Sequence, residues 1–159
     1  MTLQVGRSMQ VELGVGAQSK ALVVRTPGMV GGAVSDALVE WIDIGPTLIE
    51  LAGGVVDYPQ FARSLYPVLE SPQIEHRPTA IAELAGEIML LDREWKAALN
   101  SAGQLYLLFD VQNDPEEEMN LAGRPEMAPV EDELRLRLLE HLVSTQLQGV
   151  IYRCDLHGN

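Results

Sequence analysis

The apolar positions come in short blocks, and their spacing changes twice along the chain. "KALVVRTPG" is a compact apolar run closed by Pro27-Gly28, the pattern of a buried strand and its turn. "MVGGAVSD" follows as a loop. "ALVEWIDIGPTLIELAGG" carries a helix over about 43–52. There Asp43 suits the N-cap, Pro46 the first turn, and Gly53 the stop after Leu48, Ile49 and Leu51. "VVDYPQFARSLYPVLESPQIEHRP" reads as loop, with at most a helical turn around 63–69.

From Thr79 the runs shorten. "TAIAEL", "EIMLLD", "EWKAALN" and "QLYLLFDV" are separated by Gly86, Arg93-Glu94 and "NSAG", which predicts consecutive strands of an antiparallel meander. "PVEDELRLRLLEHLVSTQ" then predicts a helix over about 129–146, with Leu134, Leu138, Leu139, Leu142 and Val143 as one apolar stripe. Pro129 suits its first position, and Glu131, Asp132 and Glu133 suit its dipole. The tail "GVIYRCDLHGN" adds a strand or frays.

Composition changes this picture in three ways. Apolar residues make up 47% and charged residues 21%, so the chain is one globular domain by length and not a disordered tract. A net charge of −12 without clustered Lys or Arg opposes a nucleic-acid partner. Cys154 is the only cysteine, which excludes an internal disulfide and a Cys-based metal site. No basic-then-apolar leader opens the sequence and no apolar run spans a bilayer, so the sequence as written implies a cytoplasmic protein without membrane contact.

The densest polar stretch, "DVQNDPEEEMNLAG" from Asp110 to Gly123, is tested first as a metal loop. A calcium loop of the EF-hand kind needs Gly at its sixth position and a bidentate Glu at its twelfth. Here Pro115 and Leu121 stand there. Consecutive loop acids without a shared pocket do not make an acid/base pair. The stretch reads as a strand end at Asp110, a turn at Asn113-Asp114-Pro115, and a lock at Asn120-Leu121-Ala122. Elsewhere, His76 beside Arg77 reads as an exposed loop residue, His141 as a boundary residue of the last helix, and His157 as tail. Ser35, Ser64 and Ser144 lack a nucleophile-elbow context, and Arg63 and Arg77 default to unpaired surface cations.

The same stretch nevertheless resembles a family. "LFDVQNDPEEEMNLA" is similar to "LYDLENDPxExxNLA" near the C-terminus of sulfatases, in the alkaline phosphatase superfamily. Leu108, Phe109, Asp110, Asn113, Asp114, Pro115, Glu117, Asn120, Leu121 and Ala122 are in register. "LLDREWKAA" resembles "VRDGRWKYI" through Asp92, Trp95 and Lys96, and "AIAEL" resembles "VFAEY" through Ala82 and Glu83. "VEWIDIGPTLIELAGG" resembles "VSLVDLLPTLLDLAG" through Asp43, Pro46, Thr47, Leu48 and Leu51-Ala52-Gly53. "KALVVRTPG" resembles "VPLIVRAPG", and "ARSLYPVL" resembles "GRSLLPLL". The resemblance covers about residues 20 to 146.

What it implies is an α/β fold: a remnant of a sulfatase-type sheet with its helix, followed by a small antiparallel sheet packed on a C-terminal helix. The implied division is 1–72, with a strand at about 20–26, and 73–159. Sulfatases hydrolyse sulfate esters with a formylglycine made in "CxPSR", beside a divalent cation that is usually calcium. Cys154, in "YRCDLH", does not match that motif. Laid against the family's "SDHGMWYKMSFFEGSARVPL", the chain has "LQVGRSMQVELGVGAQSKAL", anchored by Gly6, Gly16 and Leu22. Gln4-Val5 then replaces the metal-ligand pair, Gln10 the Lys, and Val15 and Ser19 the Glu and Arg. Lys20 falls at an apolar position of the family strand.

No catalytic, cofactor-binding or metal residue is therefore expected, and the chain alone is expected to be inactive without formylglycine or calcium. The alternatives are a non-catalytic interaction or structural protein reusing the domain, or a subunit completing a hydrolase in trans. An orphaned apolar face and sheet edge imply a homo-oligomer, most simply a dimer. A longer parent would allow a periplasmic or secreted location.

Overall fold

The computed structural model describes residues 3–8, 20–27, 32–57 and 60–155, with backbone alone for 3–8, 20–21 and 146–155. Gly16, Gln10, Val15, Ser19 and His157 lie outside the described residues. Strands β1 (Leu3–Ser8), β2 (Lys20–Val24) and β3 (Val34–Ser35) form a sheet in the order β2-β1-β3. β1 runs antiparallel to β2 and parallel to β3. The sequence does not announce β1, and β3 lies in a segment expected to be loop.

β2 alternates instead of being buried throughout. Leu22 and Val24 pack against a cluster of Ala37, Val39, Leu65, Val68 and Leu69, while Val23 between them is 57% exposed. This is the period-two signature of a strand covered on one face. A 3-10 turn at Trp41–Asp43 leads into helix α1 (Ile44–Leu51), closed by Gly53 at φ 81. That left-handed backbone costs glycine nothing sterically, and its amide caps the carbonyl of Glu50. The short helix α2 (Tyr66–Glu70) starts with Pro67 in its first turn.

The second sheet is the expected meander, β4 (Ala80–Leu84), β5 (Glu87–Leu91), β6 (Trp95–Leu99) and β7 (Leu105–Asp110), antiparallel and in sequence order. Both of its faces are buried, which is why "EIMLL", "WKAAL" and "LYLLF" are nearly continuous apolar runs. One face carries Ala80, Met89, Leu91, Ala98, Leu107 and Phe109, joined by Leu38 and Val111. The other carries Ile88, Leu90, Ala97, Leu99, Leu105 and Leu108 against Leu134 and Leu138. Leu105 and Leu108 share a face despite their odd spacing because Leu99 pairs with Leu105, leaving Tyr106 as the extra residue of a bulge.

Helix α3 (Ala128–Asp155) begins after a 3-10 turn at Pro125–Met127, so Pro129 sits one residue inside it. It continues as far as Asp155, into the tail expected to fray or form a strand. Its stripe also divides. Leu134 and Leu138 are buried and Leu142 is partly buried, whereas Leu139 and Val143 are 48% and 60% exposed on the outer side. At 100° per residue, positions 134, 138 and 142 line one side, and 139 and 143 fall more than a quarter-turn away. No helix among the described residues is long and apolar enough to cross a membrane.

Candidate functional site

The most polar buried point of the molecule is Asp43, whose side chain is fully enclosed. Its sequence position suggests the N-cap of α1, but its carboxylate makes no cap bond there and closes a capping box on the preceding 3-10 turn. Oδ2 accepts the Glu40 amide at 2.8 Å and Oδ1 the Arg63 amide at 2.8 Å. His76 Nε2 lies 3.2 Å from Oδ2, and the Arg77 guanidinium bonds Oδ1. An ionised carboxylate only accepts, so His76 carries its proton on Nε2. The second Arg77 nitrogen pairs with Glu40 at 2.7 Å, and Glu40 also accepts the Ile81 amide of β4 at 2.8 Å. Thr47 accepts the Leu65 amide and donates to the Asp43 carbonyl, tying α1 to the approach to α2.

Burial pushes the Asp43 carboxyl up. The bonds from His76, Arg63 and Glu40, together with the Arg77 charge, outweigh that and hold it below its ordinary 3.8. This corrects two sequence readings. His76 is not exposed, with its side chain 5% accessible, and Arg77 is a buried, doubly paired cation. Arg63 does remain exposed, its guanidinium reaching the His76 carbonyl at 3.3 Å. The missed member is Glu40. A Glu three residues before an Asp, with a distant His-Arg pair, was the available signal, and nothing local links the two.

The Asp110–Gly123 stretch is a locked turn. Asp110 accepts the amide and side-chain amide of Asn113 at 3.0 and 2.8 Å, and its pKa is lowered by those bonds. Asp114 accepts the amides of Glu118 and Met119. Asn120 accepts the Leu108 and Ala122 amides and donates to the Tyr106 carbonyl, extending the ladder beyond β7. Glu117 adopts a positive φ of 56 and ion-pairs at 2.5 Å with Lys96, which is buried in β6. Asp92 accepts the Glu94 and Trp95 amides in the β5–β6 turn and pairs with Arg137 of α3 at 2.7 Å.

The remaining candidates are also structural. Ser35 accepts the Ala37 amide, Ser64 the Tyr66 amide, and Ser144 donates to the His141 carbonyl. His141 is partly buried, as a boundary residue, its ring tilted at 52° to that of Phe61 with centroids 6.1 Å apart, and 3.8 Å from Glu83. Among the described residues, no three His, Cys, Asp or Glu side chains are grouped to hold a metal ion. Where the sequence resemblance puts the family's metal-ligand pair the chain has Gln4 and Val5, and a valine side chain carries no oxygen ligand. An open cleft of about 590 Å³ is lined by Asp36, Leu38, Ile74, Arg93, Val111 and Gln112 among others.

No protein-family model matches the chain. Arylsulfatase K of Xenopus laevis is 30% identical over 125 residues, covering 69% of this chain and 23% of that protein. An uncharacterized Haemophilus influenzae protein is 24% identical over 84% of this chain and 73% of its own length. Among solved structures, the phosphonate monoester hydrolase of Silicibacter pomeroyi superposes with a TM-score of 0.70 at 26% identity, covering 87% of this chain and 31% of that one. A protein solved with its substrate D-glucosamine-2-N,6-O-disulfate gives 0.64 at 26% identity, covering 82% and 28%. Meander, locked Asn-Asp-Pro turn and C-terminal helix thus define a sulfatase-type C-terminal domain. The chain belongs to the sulfatase family of the alkaline phosphatase superfamily. It spans about a quarter of the arylsulfatase and under a third of the phosphonate hydrolase.

Proposed function

We propose that this sulfatase-like domain does not hydrolyse esters by itself. One observation carries the reading: the family-signature acids Asp43, Asp92, Asp110 and Asp114 are all spent on the chain's own donors, and Lys96 on Glu117. A hydrolytic site needs a nucleophile and charge stabilisers aimed at a shared point. Here the corresponding types of group hold turns and strands together. The test is turnover of a nitrophenyl sulfate and a nitrophenyl phosphonate by the purified chain, with calcium or manganese added. No turnover above buffer is expected; activity abolished by chelator overturns the reading.

A second reading, that the domain acts by binding another chain, has its own support. Trp41, Ile42 and Leu48 are 57%, 51% and 62% exposed around α1, an apolar face that a complementary chain could cover. Restoration of ester turnover on mixing with a separately expressed, catalytically silent remainder of a sulfatase would favour completion in trans over a purely structural role.

A further inference from the structure

Among the described residues, the outer face of α3 meets no apolar partner. Leu136, Leu139 and Val143 are 56%, 48% and 60% exposed, opposite the buried Leu134 and Leu138. One helix therefore carries two apolar sides, one for its own sheet and one facing out. A lone exposed Leu needs no explanation, but a stripe at helical spacing does.

The charges beside the stripe select its occupant. With Leu136 and Val143 at the a positions and Leu139 at d, Arg135 falls at g and Glu140 at the following e. In a parallel helix pair, g of one copy meets e of the other five residues on, so Arg135 faces Glu140 twice, once across each side of the seam. An antiparallel pair would oppose like with like, Arg135 to Arg135 and Glu140 to Glu140. Arg135 now bonds Asp132 at 2.9 Å and lies 4.0 Å from Glu131 within its helix, with its side chain 35% exposed. These are surface pairs that exchange at little cost.

We propose that α3 is the seam of a two-fold dimer of this chain, packed parallel on Leu136, Leu139 and Val143 and fixed in direction by reciprocal Arg135–Glu140 pairs. The second copy thus sits on α3 and not at a sheet edge. The proposal stands apart from the hydrolase question, since neither outcome of the turnover test bears on it.

Sedimentation equilibrium of the whole chain tests it. The expected mass is twice the 17.4 kDa of one chain at tens of micromolar protein. Leu139→Asp, at an exposed position, should give a folded monomer. Arg135→Glu and Glu140→Arg should each weaken the dimer by roughly tenfold, because each creates two like-charge contacts, and the double exchange should recover most of the loss. A monomeric wild type overturns the proposal. So does a dimer indifferent to Leu139→Asp, or a double exchange no tighter than either single one.

Discussion

Asp43 illustrates how a residue's role is set by what folds onto it. A carboxylate removed from water is stabilised only if charge and donors replace the solvent, and here two amides, an imidazole and a guanidinium do so. Removing the acid strands Arg77 with Glu40 as its remaining ion partner. Asp43→Ala is therefore expected to cost about 3 kcal/mol in urea unfolding. Because the folded pKa lies below 3.8, the acid's contribution is complete above that pH and is lost as pH falls through the folded value. The stability gap between wild type and Asp43→Ala should accordingly narrow in acid. Tyr106 shows the opposite displacement: burial first, then its bond to Glu87, push the phenol up to about 12. It should stay protonated in an ultraviolet titration well past the ordinary tyrosine range.

At the scale of elements, the turns carry the informative chemistry. The β4–β5 hairpin is a two-residue turn with both central residues left-handed, Ala85 at φ 51 and Gly86 at φ 85. Gly86 accepts that backbone freely, while Ala85 does not, and Asn-Gly is the pair best suited to such a turn. Ala85→Asn should stabilise the protein by about 1 kcal/mol, read as a rise in the denaturation midpoint with unchanged slope. The four strands were legible because their lengths and punctuation are local properties. "WKAAL", Ala-rich and without alternation, becomes a strand because β5 and β7 pair with both of its edges. The α3 stripe was legible as helix but not as two faces, since which leucine meets the sheet depends on how the helix is docked.

At the scale of the whole molecule, the two halves are held by shared parts. Leu38 belongs to the core of the meander, Glu40 accepts the Ile81 amide at the start of β4, and the Asp43 hub takes His76 and Arg77 from beyond α2. The chain should therefore unfold in one transition, with tryptophan fluorescence and far-ultraviolet circular dichroism coinciding across a urea titration. Two resolved transitions would mean that residues 1–72 and 73–159 melt independently.

Sequence alone determined the meander, the last helix and the identity of the family, because strand length, turn residues and the Asn-Asp-Pro register are written locally. It also showed that Asp110–Gly123 lacks the Gly and the Glu that a calcium loop of the EF-hand kind requires. Only the tertiary structure decided that His76 and Arg77 are buried, that Glu40 joins them, and that Leu139 and Val143 face outward. Those facts depend on contacts between residues more than thirty positions apart, or on the rotation of a docked helix. No local pattern encodes either, since burial is a property of neighbours that only folding brings together.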